Sequence, residues 1–312
     1  MDYSFVIPCY NSSKTIRSVV EEINSTMERL MYHSFNIILV NDFSSDNTKE
    51  VIFDIACKYE NVIAISMSKN FGQHAALLAG YKYANGNFVI SLDDDGQTPA
   101  NQVDRLINKI NEGYDVVFAS YNNKHHSTFR NFGSKVNDYM ATKLINKPRD
   151  LYLSSYFIAR KFVIDEMLRY QQPFPYVSGL VLRTTANICN VPVDHRSREI
   201  GNSGYNFVKL FKLWLNGFTA FSIKPLRIAV YLGFLIAFFG FLTVIYALIN
   251  RFTNPNFMIG WTSLIALIAI VGGMILIVLG MIGEYIGRIY ISINNSPQYV
   301  IREIEGIKDD QK

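Results

Sequence analysis

Short apolar runs rich in β-branched and aromatic residues alternate with helical periodicity along the first part of the chain. Tyr3–Ile7, Asn36–Val40, Val62–Ser66, Phe88–Leu92 and Asp115–Ala119 read as strands. Between them, apolar residues recur at helical spacing near 14–31, 47–59, 72–84 and 99–112. Ser45-Asp46-Asn47 offers side-chain oxygens to cap the second of these helices. Pro99 stands near the start of the fourth, where a missing N–H is harmless. Alternation of this kind predicts an α/β fold: a mostly parallel sheet with helices on both faces.

The pattern changes towards the C-terminus. Ile228–Ile249 and Thr262–Gly283 run without a charged residue. As helices each would be about 33 Å long, enough to cross a hydrocarbon core of about 30 Å. A fully buried hairpin of a soluble core is the competing reading. Lys224 and Arg227 precede the first run, and Arg288 and Arg302 follow the second. The positive-inside bias therefore places both flanks in the cytosol. Gly272, Gly273, Gly280, Gly283 and Gly287 are expected to let the two helices pack closely and would permit a homo-oligomer. Ahead of them, 206–223 mixes Phe207, Phe211 and Trp214 with Lys209 and Lys212, as an interfacial amphipathic helix does. The expected organisation is thus a cytosolic domain over 1–205, the interfacial helix over 206–223, a transmembrane hairpin over 224–290 and a cytosolic tail over 291–312. Localisation would be the inner (plasma) membrane, multi-pass.

Composition supports this division. Hydrophobic residues make up 49% of the chain, concentrated in 228–283, and the net charge of +4 suits an anionic membrane surface better than a nucleic-acid partner. Cys9, Cys57 and Cys189 are odd in number and widely spaced, as expected of reduced thiols. The N-terminus enters strand-like sequence at once, so no cleavable signal peptide is expected.

The chemistry is concentrated where strands end. Asp93, Asp94 and Asp95 follow the apolar run Phe88-Val89-Ile90, and strand ends are where open α/β sheets bind ligands. Three adjacent carboxylates repel one another, and a divalent metal would compensate them. A continued pleat would turn Asp93 and Asp95 to one side. A solvated turn capping the next helix is the bland alternative. Pro8-Cys9-Tyr10-Asn11 closes the first strand; Pro8 is expected to end its ladder and Tyr10 to offer a flat face to a base or ribose. Asp42 closes the second strand and could accept from a base N–H or a ribose hydroxyl. Glycine-rich Rossmann and P-loop signatures are absent. His125 and His126 lack zinc partners at ligand spacing, and His74 suits either a phosphate contact or helix packing.

Together these strand ends resemble the family 2 glycosyltransferases of the GT-A fold, which carry P-x-Y-N, a second-strand Asp and D-x-D. The resemblance extends to the polyisoprenyl-phosphate branch, which includes dolichyl-phosphate mannose synthase and the bactoprenol glucosyltransferases. Its D-x-D-x-Q-x-P pattern is matched by Asp93, Asp95, Gln97 and Pro99, and its N-F-G-x-x-x-A block by Asn70-Phe71-Gly72 through Ala76. The segment Phe221-Ser222-Ile223-Lys224-Pro225-Leu226-Arg227 before the hairpin also matches.

The resemblance implies that Pro8, Tyr10, Asn11, Asp42 and Asp94 contact a nucleotide-sugar donor. It implies Mg²⁺ or Mn²⁺ on Asp93, Asp95 and Gln97. Arg130, Ser134 and Lys135 would meet the phosphate of a polyprenyl acceptor, and Arg198, Ser203 and Tyr205 would lie on a loop closing over the donor. Asp93, Asp95 and Arg130 are then the expected catalytic residues, although a solvated helix face is the plainer reading of Arg130 and Lys135. Arginine suits phosphate because its planar fork bonds in pairs. Two departures stand out: Asn11-Ser12 replaces the usual Asn-Glu, and Ser154-Ser155-Tyr156 occupies the place of an acidic residue proposed as a base. The implied reaction is inverting transfer of one sugar, from a UDP-linked donor, to undecaprenyl or another polyprenyl phosphate. A family 2 transferase with another lipid or polysaccharide acceptor, and a non-catalytic membrane scaffold, are the alternatives.

Overall fold

Strands buried on both faces hold the middle of the structure, which is a computed structural model describing residues 1–121, 147–148, 150–173, 175–194, 224–253, 261–294 and 297–307. Its elements are β1 Tyr3–Cys9, α1 Ile16–Arg29, β2 Phe35–Asn41, α2 Thr48–Lys58, β3 Val62–Met67, α3 Gln73–Tyr81, β4 Phe88–Ser91, α4 Val103–Asn111 and β5 Val116–Tyr121. They continue with β6 Phe157–Arg160, α5 Lys161–Leu168, α6 Val177–Thr184, β7 Ile188–Val193, α7 Lys224–Thr253, α8 Trp261–Ile293 and β8 Ile301–Glu305. The five strands expected from the sequence are present within a residue or two of their expected bounds. The chain forms two units, Met1–Lys212 with Asn295–Lys312, and Leu213–Asn294.

In the first unit the sheet order is β7-β5-β6-β4-β1-β2-β3-β8. β1 pairs in parallel with β2 and β4, β2 with β3, and β5 with β7. β6 runs antiparallel between β4 and β5, and β8 antiparallel along β3. The chain departs from β1 to opposite sides, towards β2 and towards β4, so the β1 end is a topological switch point. β1, β2 and β3 are Val- and Ile-rich because helices cover both faces. In α4, Val103, Leu106, Ile107 and Ile110 form the buried stripe, the i, i+3, i+4, i+7 pattern of a helix lying on a sheet.

α3 is buried almost all round and lies directly on β1 and β2. A Cβ at Gly80 would stand 2.5 Å from Val6 Cγ1 and 3.0 Å from Val40 Cγ2, so only glycine allows this approach. The approach fixes where the N-terminus of α3 meets the strand ends. Pro8 does not end its ladder, as expected from sequence: it pairs with Val40 inside β1. Val6 O accepts from Leu92 N on the β4 side and Cys9 O from Asp42 N on the β2 side. Alternation therefore turns Pro8 towards β4, where pairing has stopped at Val6–Ser91 and no N–H is needed.

Residues after the hairpin return to the sheet as β8. Glu303 meets Lys49 at 2.7 Å, and the Gln298 amide donates to Tyr170 O and Gln172 O at 3.2 and 2.9 Å. All three cysteines are free thiols, Cys9 buried and Cys57 exposed.

The second unit consists of α7 and α8, whose outward apolar residues include Tyr231, Phe234, Leu276, Ile277, Ile286 and Tyr290. Among the described residues one stretch, Ile270–Ile293, is long and apolar enough to cross a membrane. Within α7 the described residues give a shorter apolar stretch, Ala229–Leu242, inside a helix that carries the whole uncharged run Ile228–Ile249. The expected multi-pass arrangement is therefore not supported among the described residues. Nor is close packing at the glycines, since a methyl group on any of the five would meet no described atom within 4 Å.

Candidate functional site

The C-terminal ends of β1, β2 and β4 and the N-terminus of α3 bring most of the described site residues together. After β4 the three consecutive aspartates take different tasks. Asp93 Oδ1 accepts from Gln73 Nε2 at 3.0 Å and Oδ2 from Ser155 Oγ at 2.5 Å. Asp95 Oδ1 accepts from the Gln97 N–H at 3.0 Å, which tightens the turn through Gly96. Asp94 faces the β1 loop: its Oδ2 accepts from Tyr10 N at 3.0 Å, and its carbonyl accepts from Thr15 Oγ1 at 2.7 Å. Burial pushes the Asp94 carboxyl up to about 6, opposed by the Tyr10 N–H. Asp94 thus braces Tyr10, whose ring remains 53% exposed.

Just past β2, Asp42 is buried and its two oxygens accept from Phe71 N at 2.7 Å and Gly72 N at 2.8 Å. These bonds cap the N-terminus of α3, where Gly72 has φ 91°. Burial raises the Asp42 carboxyl to about 6, and the two N–H bonds partly offset it. Each oxygen keeps a second lone pair for a ligand. Asn11, at φ 56°, ties the β1 loop to the β2 loop: its Oδ1 accepts from Ser45 N at 2.9 Å and its N–H donates to Ser44 Oγ at 3.0 Å. Asparagine tolerates that left-handed conformation better than most residues.

Two features flank the carboxylates. Tyr121 and Tyr152 meet edge to face at 6.3 Å, and burial together with Asp93 and Asp95 raises the Tyr121 hydroxyl above its ordinary range. Asn190 fixes Tyr152 by accepting from its N–H at 2.8 Å and donating to its carbonyl at 2.7 Å. On the α3 side, His74 packs edge to face on Tyr176 at 5.1 Å, and its buried Nδ1 has no partner among the described residues. Burial lowers its pKa to about 4, so the ring is neutral at physiological pH. Of the two expectations for His74, packing is the one seen.

Gln73 and Ser155 are the site residues that sequence reading missed. Ser155 lies 62 positions from its partner, and only its place in a segment aligned with an acidic residue singled it out. Arg130, Ser134, Lys135, Arg198, Ser203, Tyr205, His125, His126 and the helix expected over 206–223 lie outside the described residues.

The donor set bears on metal binding. Among the described residues no group of three or more His, Cys, Asp or Glu side chains converges as a protein cage. Asp93 and Asp95, with Gln97 two residues on in the same turn, have the donor chemistry of a Mg²⁺ or Mn²⁺ site of the open kind. Such sites use one or two carboxylates and leave the other positions to water and phosphate. A cavity of about 640 Å³, lined by Lys82, Tyr83, Asn85 and Glu305 among others, lies at the opposite strand ends and belongs to no part of this site.

Comparison with known proteins gives a consistent result. The family described as Glycosyl transferase family 2 matches residues 4–168, and that described as GtrB C-terminal hairpin matches 224–289. A Proteus mirabilis protein named undecaprenyl-phosphate 4-deoxy-4-formamido-L-arabinose transferase is 33% identical, over 99% of this chain and 95% of its own. An uncharacterized Bacillus subtilis glycosyltransferase is 32% identical over 99% and 96%. Among solved structures, glucosyl-3-phosphoglycerate synthase of Mycobacterium tuberculosis, in complex with Mn²⁺, UDP-glucose and phosphoglyceric acid, superposes with a TM-score of 0.50. At 18% identity, covering 69% of this chain and 76% of that one, it shows a shared fold.

Proposed function

Because this chain belongs to glycosyl transferase family 2, as a membrane-associated glycosyltransferase of the GT-A fold, we propose that it transfers one sugar from a UDP-linked donor to undecaprenyl phosphate. The single observation that carries the donor half is the grouping of Asp93 and Asp95 with Tyr10 and Asp42 at the β1 switch point. The acceptor half is supported by relatives named as undecaprenyl-phosphate transferases over nearly the whole chain and by the apolar helix Ile270–Ile293.

In this reading Tyr10 packs on the nucleoside, held in place by Asp94, while Asp42 accepts from a base or ribose donor. Asp93, Asp95 and Gln97 would hold Mg²⁺ or Mn²⁺, which supplies charge neutralisation for the departing diphosphate. Gln73 and Ser155 keep Asp93 in one orientation, so little reorganisation is needed when donor binds. Arg198, Ser203 and Tyr205 are assigned to closure over the donor, and Arg130, Ser134 and Lys135 to the acceptor phosphate. Lipid phosphate has a second pKa near 6 and is mostly dianionic at neutral pH, so its oxygen is a nucleophile without a protein base. That oxygen bonds to the anomeric carbon as the carbon–oxygen bond to the nucleoside diphosphate breaks. The nucleotide leaves with the electron pair from the opposite face, giving inversion. Positioning supplies much of the rate.

The test is a transfer assay on purified full chain with undecaprenyl phosphate and a panel of radiolabelled UDP- and GDP-sugars, including UDP-linked 4-deoxy-4-formamido-L-arabinose. An acid-labile labelled lipid from a UDP donor, lost on adding EDTA, supports the reading. Absence of labelled lipid from every donor, in folded protein, would overturn the acceptor. Product insensitive to EDTA would overturn the metal site.

A further inference from the structure

Phe43, the first residue past Asp42, has φ 55° and is 50% exposed. A bulky side chain in the left-handed region is strained, because its Cβ crowds the backbone. Half-exposed, the ring also recovers little of that cost through burial.

The loop explains the backbone but not the residue. Asn41 Oδ1 accepts from Ser44 N at 3.1 Å, and the Asn41 amide is itself held by Ser66 Oγ at 3.2 Å. The left-handed residue turns the chain so that Ser44 and Ser45 meet Asn11. Glycine or asparagine would make the same turn without strain. Met31, also exposed and at φ 61°, provides a contrast. It ends α1 with its N–H bonded to Glu28 O and that of Tyr32 to Met27 O, an ordinary left-handed helix ending. Phe43 caps no helix.

Its position supplies the reason. β1 and β2 are in parallel register through Cys9–Asn41, and adjacent strands lie about 4.8 Å apart. The Asn11 bonds carry that alignment into the loops. Continued one step, the register sets Tyr10 opposite buried Asp42, so Phe43 follows the position paired with Tyr10, and both aromatics are exposed. Strain held at a rigid, exposed loop is a mark of function. We propose that Phe43 and Tyr10 together seat the donor's nucleobase, Phe43 adding a second aromatic contact to the planar heterocycle. The proposal rests on the donor reading given above.

The experiment is calorimetric titration of UDP and of GDP, with Mg²⁺, into the detergent-solubilised full chain, comparing Phe43→Asn and Phe43→Tyr with the wild type. Loss of a base-stacking ring is expected to weaken nucleotide binding roughly 5- to 150-fold in Phe43→Asn. The same variant should unfold at an equal or higher temperature, because asparagine tolerates the left-handed backbone. Phe43→Tyr should bind within about twofold of the wild type, since its π-face remains. Wild-type-like affinity in Phe43→Asn overturns the proposal and leaves the donor reading intact. Lower stability with unchanged affinity makes the ring a packing element and likewise overturns it. Failure of the wild type to bind any nucleotide overturns the donor reading and the proposal together.

Discussion

Replacing Ser155 by Ala should weaken metal-dependent catalysis without unfolding the protein. The hydroxyl donates to Asp93 Oδ2, and Gln73 donates to the other oxygen of the same carboxylate. A hydrogen bond to a charged group contributes about 1.5–3 kcal/mol. Residues that orient a metal-binding carboxylate typically change metal affinity or activity about 10- to 100-fold when removed. Ser155→Ala and Gln73→Ala are each expected in that range, read as a rise in the Mn²⁺ concentration for half-maximal transfer. Because both hold one carboxylate, the first loss already frees it to rotate. The double variant should therefore lose less than the sum of the single losses, by about 0.5–3 kcal/mol in a double-mutant cycle. Ser155→Thr keeps a hydroxyl and should restore most of the activity. Strictly additive losses, or a raised donor KM with unchanged Mn²⁺ dependence, would refute the reasoning that the two residues act through Asp93.

Asp95→Asn should abolish transfer while leaving the circular dichroism spectrum and membrane fractionation unchanged; normal activity with unchanged metal dependence would remove Asp95 from the site. His74, held neutral by burial with a pKa of about 4, stabilises the fold fully above about pH 6.5, and that contribution is lost as pH falls towards 4. Its size is up to roughly 3 kcal/mol at about 1.36 kcal/mol per unit, so His74→Phe should flatten the wild-type difference in stability across that window, measured by denaturant unfolding at several pH values. Gly80→Ala places a methyl against Val6 and Val40 and should destabilise the protein by about 1–3 kcal/mol. It should also lower activity through the displaced N-terminus of α3.

What the sequence made legible follows from burial. β1 to β5 were readable because strands covered on both faces need continuous apolar runs, and α4 because one covered face leaves a periodic stripe. β6, β7 and β8 were not, since a strand of four residues, a half-buried strand carrying Asn190 and Pro192, and an edge strand with alternating charges carry little apolar signal. The acidic turn after β4 was visible as three carboxylates, but its division of labour was not. Asp94 turns to Tyr10 because the chain folds Tyr10 beside it from 84 positions away. The strain at Phe43 and the second bonds of Asp42 likewise depend on loops that only the folded sheet brings together.

The return of the chain as β8 has a consequence for how the protein is made. Edge strand β3 offers its outer backbone groups to Ile301–Glu305, which the ribosome produces after both hydrophobic helices. The catalytic sheet therefore cannot be completed while the helices are still being synthesised; until then β3 exposes a bare edge that invites wrong pairing. Completion of the enzyme thus waits on synthesis of the apolar helices, so translation order itself favours a transferase that finishes folding only after Ile270–Ile293, the stretch long and apolar enough to cross a membrane, has been made.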